Sequence, residues 1–250
     1  MMASIVTATF NSAATIADCL ESVAAQTHAV EHIIIDGAST DNTLEIVRRI
    51  APAARILSES DKGIYDAMNK GISLATGDIV GILNSDDFYA DQHVIEKVVK
   101  VFDTHPVDSL FADLVYVRAP DLNKVVRYYS GAGFTLSKFA LGWMPPHPTF
   151  FVRRGCYNQF GAFKSDYRIA ADFELMARFL VKHRVSYHYL PEVLIKMRLG
   201  GASTRNLMSN WILNREALRA CRENDISTNM LKIYSKYFVK SAQLFMRPQI

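Results

Sequence analysis

Short apolar runs rich in β-branched residues alternate with segments whose apolar positions recur at helical spacing. Residues 4–10 form the first run, and residues 13–25 follow with Ile16, Leu20 and Val23 on one face. The run 31–36 ends in a carboxylate, and Leu44, Ile46, Val47 and Ile50 then supply a second helical face. Residues 55–58 predict a third strand, 64–75 a third helix and 79–83 a fourth, buried strand. Alternation at about 20–25 residues per unit predicts a parallel sheet with right-handed crossovers. Three strands run into polar loops, at Asn11-Ser12, at Asp36 and at Asn84-Ser85-Asp86-Asp87, and these loops should converge on one face of the sheet.

Beyond residue 90 the pattern changes. Residues 91–102 predict a helix, and 108–118 with 124–129 predict a β pair. Residues 131–148 are rich in Gly, Pro and aromatics and read as a long ordered loop or lid. A short strand is expected at 149–153, and a helix at 170–183 with Asp172 near its start. Strand-like runs at 185–190 and 193–198 precede a flexible turn at Gly200-Gly201-Ala202-Ser203 and two closing helices, 203–222 and 227–245.

The candidate chemistry sits at residues 84–87. Two adjacent carboxylates repel, and burying them is costly unless a cation joins them. A hard divalent ion with oxygen ligands meets that need; a solvated turn or helix cap is the plain alternative, since Asp, Asn and Ser also dominate turns. No GxGxxG follows the first strand and no GxxxxGK[ST] occurs, so the dinucleotide fingerprint and the P-loop are both missing. The bulk numbers change little. The 250 residues are half hydrophobic and 21% charged, which describes a globular chain, and a net charge of +3 does not imply nucleic acid. Three scattered cysteines, Cys19, Cys156 and Cys221, fit a core role in a reducing cytoplasm. No signal-like or membrane-spanning apolar run is read in the sequence.

Several motifs resemble one family. Ile5 to Asn11, Ile34-Ile35-Asp36-Gly37-Ala38-Ser39-Thr40-Asp41-Asn42-Thr43, Asp61-Lys62-Gly63-Ile64-Tyr65-Asp66-Ala67-Met68-Asn69-Lys70-Gly71, Ala75-Thr76-Gly77-Asp78 and Asn84-Ser85-Asp86-Asp87 resemble, in order and spacing, the family 2 glycosyltransferases of GT-A fold. Pro146 to Phe151, Ala171-Asp172-Phe173-Glu174-Leu175 and Leu199 to Ser203 extend the likeness to its bacterial polysaccharide-building branch. The resemblance implies an α/β fold of GT-A type: a mostly parallel central sheet flanked by helices, with C-terminal helices. It implies a transferase domain over 1–225, with a nucleotide-binding half at 1–90 and an acceptor-binding half at 91–225. A helical tail at 226–250 lies outside it.

The resemblance also implies roles. Asp36 would accept a hydrogen bond from a nucleoside base; Thr9 and Asn11 would line the base and ribose pocket; Asp61 would be a further nucleoside contact. Asp86, with Asp87 beside it, would hold Mn2+ or Mg2+, and Asn84 and Ser85 would touch the nucleotide. Asn84 departs from the family's usual pattern, where an Asp opens the acidic motif, and brings no charge. Asp172 would be the general base of an inverting transfer from a nucleotide-diphosphate sugar, UDP-linked by preference, to a hydroxyl of a glycan or lipid-linked glycan. His147 and Arg198 are candidate acceptor or phosphate contacts. Each has a plain alternative: a helix cap for Asp36, an ion-pair partner for Asp172, a structural loop residue for His147, a strand end for Arg198. Asn84 keeps open a second class, a nucleotide-sugar-binding protein or supporting subunit without turnover. In the tail, Leu231, Tyr234, Phe238, Leu244 and Phe245 lie among Lys232, Lys236, Lys240 and Arg247, a pattern either of peripheral binding to an inner-leaflet membrane surface or of a docked helix. Oligomeric state is not legible.

Overall fold

The computed structural model describes residues 1–199 and 207–235. The first half is three strand–helix units and a fourth strand: β1 (Ala3–Thr9), α1 (Ile16–Ala24), β2 (Val30–Asp36), α2 (Thr43–Ile50), β3 (Arg55–Ser58), α3 (Ile64–Leu74) and β4 (Ile79–Ile82). β5 (Phe88–Tyr89), α4 (Val94–Thr104), β6 (Ser109–Arg118) and β7 (Asp121–Tyr129) follow. β8 (Phe151–Arg153), α5 (Arg154–Phe160), α6 (Ala171–Ala177), β9 (Tyr187–Arg198), α7 (Leu207–Glu223) and α8 (Met230–Tyr234) complete the order.

One nine-stranded sheet runs β3-β2-β1-β4-β8-β6-β9-β5, with β7 paired to β6. β3, β2, β1 and β4 are parallel, whereas β8 runs antiparallel to both β4 and β6, and β5 antiparallel to β9. The sheet is therefore mixed, parallel through the first half and interrupted at β8. The chain leaves β1 toward β2 and β3, then returns to place β4 on β1's other side. That reversal opens a crevice beyond the carboxyl ends of β1 and β4.

Alternation along the strands divides the core. Val6, Ile33 and Ile35 face α3, α5 and α6, while Ile5, Ile79 and Leu110 face α1 and α4; Ile34 meets α1 and α2. α3 sits hard on β1: a Cβ at Gly71 would lie 2.2 Å from Val6 Cγ1. Only glycine allows that approach.

The two strand-like runs expected at 185–190 and 193–198 are one strand, β9, whose register against β6 shifts beside Asp113. The expected lid folds as two 3-10 turns, Leu136–Leu141 and His147–Thr149, closed over buried Phe139 and Trp143. The helix expected at 170–183 is α-helical only to Ala177 and continues as a π-helical turn, Arg178–Lys182. Buried Glu174 accounts for this segment's burial of charge: Arg178 donates to it and to the carbonyls of Gly161 and Ala162, and Lys164 pairs with it at 2.9 Å. The turn expected at 200–203 lies outside the described residues.

Candidate active site

The polar loops converge as the alternation predicted. Ser12 and Ser85 hydroxyls lie 2.9 Å apart and join the end of β1 to the end of β4. The Asn11 N–H donates to Ser39 Oγ at 2.8 Å, and the Thr40 N–H donates to Asn11 Oδ1 at 2.9 Å. Asn11 adopts φ +49°, a left-handed conformation that Asn tolerates.

The expected nucleoside contacts gather at the ends of β1, β2 and β3. Asp36 is fully buried; its Oδ2 accepts from the Ser39 N–H and the Ser58 hydroxyl, at 3.1 and 2.7 Å. Its Oδ1 has no partner among the described residues, nor do Thr9 Oγ1 and Asn84 Oδ1. Buried polar atoms are nearly always paired, so three orphans at three neighbouring strand ends mark a ligand face. Asn11 fits its expected role less well, because its side-chain carbonyl is spent on Thr40. Asp61 accepts a hydrogen bond from Lys70 at 2.6 Å, and Lys70 also pairs with Glu59 at 2.8 Å. Its charge is thus already matched within the loop.

A cavity of about 400 Å³ opens beside this cluster, and Asn84, Asp86, His147 and Asp172 line it. Asp87 corrects an expectation. It was expected to share a metal with Asp86, but it is fully buried and absent from the cavity wall. Consecutive residues of the turn point to opposite sides, and Asp87 faces the Arg198 backbone N–H and the Asn84 amide without completing a well-formed hydrogen bond. Burial, then the neighbouring Asp86 charge, pushes its pKa well above the usual carboxylate range. Arg198 also differs: its guanidinium pairs with Asp18 and lies over the Phe88 ring at 5.3 Å, outside the cavity lining.

Asp172 stands in the first turn of α6. Its Oδ1 accepts from the Phe173 N–H at 2.8 Å, and its Oδ2 lies 3.1 Å from His147 Nδ1. His147 is held between Pro146 and Pro148 in a 3-10 turn closed by Thr149 and Phe150 N–H groups at 3.0 Å. Glu174, two residues on, points into its buried ion cluster, as helical geometry requires.

Two supporting residues escaped the sequence reading. Glu216 of α7 accepts from the backbone N–H groups of Arg168, Ile169 and Ala170 at 2.8–2.9 Å, anchoring the start of α6. Tyr65 donates to the Ile169 carbonyl at 2.5 Å. Neither carries a local motif that links it to Asp172; the contacts span 46 and 104 residues of chain.

The donor set suits a hard cation of limited demands. Among the described residues no cluster of three or more His, Cys, Asp and Glu side chains gathers in metal-holding geometry. Asp86 and Asn84 bring one carboxylate and one amide to the cavity wall, and the buried Asn84 carbonyl oxygen has no partner among the described residues. Mg2+-like ions accept so few protein ligands when water and substrate phosphates complete the shell.

The Glycosyl transferase family 2 model matches residues 4–160. The chain belongs to that family. A PGL/p-HBAD biosynthesis glycosyltransferase of Mycobacterium tuberculosis is 30% identical over 224 residues, spanning 87% of this chain and 83% of the relative. The solved structure of S. aureus TarS 1-349 in complex with UDP-GlcNAc superposes with a TM-score of 0.68 at 18% identity, covering 91% of this chain and 68% of TarS 1-349. Mannosyltransferase PcManGT from Pyrobaculum calidifontis, in complex with GDP-Man and Mn2+, gives 0.61 at 18% identity, covering 97% of this chain and 80% of PcManGT. The fold is accordingly of GT-A type, and glycosyl transfer from a nucleotide-sugar donor is the activity the family brings.

Proposed function

We propose that this family 2 glycosyltransferase inverts the anomeric centre of a UDP-linked sugar as it transfers it to a hydroxyl of a glycan or lipid-linked glycan in cell-surface polysaccharide biosynthesis. The observation that carries this reading is the shared cavity of Asp86 and Asp172. One carboxylate stands where a diphosphate leaves and the other where a hydroxyl attacks.

The nucleoside lies along the ends of β1 and β2, its base N–H donating to the free Asp36 Oδ1 and its ribose beside Thr9 and Asn11. Asp61 lines the far side. Asp86, with the Asn84 carbonyl oxygen beside it, would hold the cation. Mn2+ or Mg2+ supplies there the positive charge that offsets charge developing on the departing nucleoside diphosphate. Asp172 Oδ2 takes the proton of the acceptor hydroxyl as that oxygen attacks from the face opposite the leaving group. A positioned base is worth about 10²–10⁴-fold. His147 Nδ1–H fixes the carboxylate's orientation. The cavity wall's other carboxylate, Asp86, is assigned to the cation and not to the sugar, which favours direct displacement and inversion.

The domain organisation we propose keeps the nucleotide half at 1–90 and the acceptor half at 91–225. The tail, 226–250, is proposed to touch the anionic inner leaflet, placing the enzyme on the cytoplasmic membrane face. Among the described residues, no helix is long and apolar enough to cross a membrane.

Calorimetry with UDP and GDP, each with and without Mn2+, tests the donor site. Metal-dependent binding of UDP that is lost in Asp86→Ala is expected. Metal-independent binding, or a preference for GDP, would overturn the corresponding part of the reading.

A further inference from the structure

The cavity wall is mostly apolar. Its polar side chains are Asn84, Asp86, His147, Arg168, Asp172 and Ser209, and Met68, Ile82, Phe150, Phe163, Leu175 and Met176 are among the apolar ones. Tyr65, also on the wall, has its hydroxyl committed to the Ile169 carbonyl. Ile64 stands at the cavity wall while nearly half exposed, so an apolar side chain lies at the mouth together with exposed Arg168. Against the apolar stretch of this wall a carbohydrate chain would give up water at several hydroxyls for few partners, at a cost for each. A hydrocarbon group entering it gains with every methylene buried. The methionine side chains adjust to irregular apolar shapes.

We infer that the cavity seats an apolar aglycone of the acceptor: an aryl or short alkyl group lying within a few bonds of the hydroxyl that attacks. This rests on the glycosyltransferase reading above and narrows its acceptor. The attacking hydroxyl must reach Asp172, and the apolar wall begins on the same helix, at Leu175 and Met176. The group held there is therefore joined closely to the reacting oxygen. At about 400 Å³ the cavity is at the small end of ligand pockets, so it takes one ring or a short chain and not a whole lipid tail. The group recognised is the hydrophobic part of a glycoside or of an aromatic alcohol, whichever bears the acceptor hydroxyl.

Saturation-transfer NMR and calorimetry with methyl, hexyl and phenyl β-D-glucopyranosides test this on the full chain. Phenyl and hexyl glucosides are expected to bind at least about tenfold more tightly than methyl glucoside, with saturation concentrated on the aglycone protons. Phe163→Asn and Ile64→Asn, checked for native circular dichroism, are expected to remove that preference. Equal affinities across the series, or saturation concentrated on the sugar ring, would overturn the inference and point to a cavity that stacks a pyranose face. Nucleotide release from a UDP-sugar panel without acceptor reads the underlying activity separately. Release without an aglycone preference sinks only the acceptor inference; an aglycone preference without any release sinks only the transferase reading.

Discussion

At the scale of single residues, the site is a division of labour between carboxylates with different surroundings. Asp36, Asp86, Asp87, Asp172 and Glu174 are one chemical type, yet Asp36 is capped by two donors, Asp86 and Asp172 line the cavity, Asp87 is fully buried and Glu174 is locked to Arg178 and Lys164. Asp172 alone pairs with a histidine. Asp172→Asn keeps the volume but removes the proton acceptor. Its transfer rate is expected to fall about 10²–10⁴-fold while UDP binding stays unchanged, read by single-turnover kinetics beside calorimetry. An equal loss in nucleotide binding would move Asp172 from base to structural anchor. Glu216→Ala takes away the acceptor of three N–H groups ahead of α6. It is expected to lower kcat by about tenfold or more with a smaller effect on donor KM, because a misplaced base costs rate before affinity.

At the scale of elements, α3 on β1 and His32 in β2 carry measurable consequences. Gly71→Ala forces a methyl to 2.2 Å from Val6 Cγ1. Urea unfolding is expected to show a loss of about 1–3 kcal/mol from overpacking, with an unchanged m-value. His32 lies beside the Thr7 hydroxyl at 3.1 Å, and burial lowers its pKa from 6.5 to about 4. The unfolded chain therefore binds a proton that the folded chain refuses as pH falls below 6.5. The His32 contribution should be level above that value and decline by up to roughly 3 kcal/mol between pH 6.5 and pH 4. His183 and His188 are lowered too and push the same way, so the comparison is with His32→Leu, whose decline over this window should be clearly shallower. Parallel pH profiles for both proteins would show that His32 is not the source.

At the scale of the whole molecule, the C-terminal segment is where the proposed membrane contact would lie. α8 packs on α7 through buried Ile233, while Leu231 stays 84% exposed. The docked reading thus fits the Ile233 side of this short helix, and the proposed membrane contact would fall to the side that carries Leu231. Phe238, Leu244, Phe245 and the basic residues Lys236, Lys240 and Arg247 lie outside the described residues. Flotation with anionic liposomes is expected to recover the full chain and to lose a chain ending at residue 235, which retains α8. Equal flotation of the two would remove the tail from the membrane proposal.

The sequence by itself determined the parallel half of the sheet, because β-branched runs and helical faces at short, regular intervals permit little else. It also marked the strand ends that matter, since Asp36 and Asn84 to Asp87 interrupt apolar runs where polar residues need a reason. Local pattern could not say that Asp86 and Asp87 point apart, as adjacent residues in a turn share a motif and not a direction. Nor could it tell cavity-lining Met68, Phe163 and Leu175 from core, because an apolar side chain reads the same whether it faces another side chain or an open space. The pairing of Asp172 with His147, the anchoring of α6 by Glu216 and the capture of Arg198 by Asp18 join residues 25 to 180 positions apart. Only the closed chain brings such groups within hydrogen-bonding distance, and so only tertiary structure decided which carboxylates line the cavity.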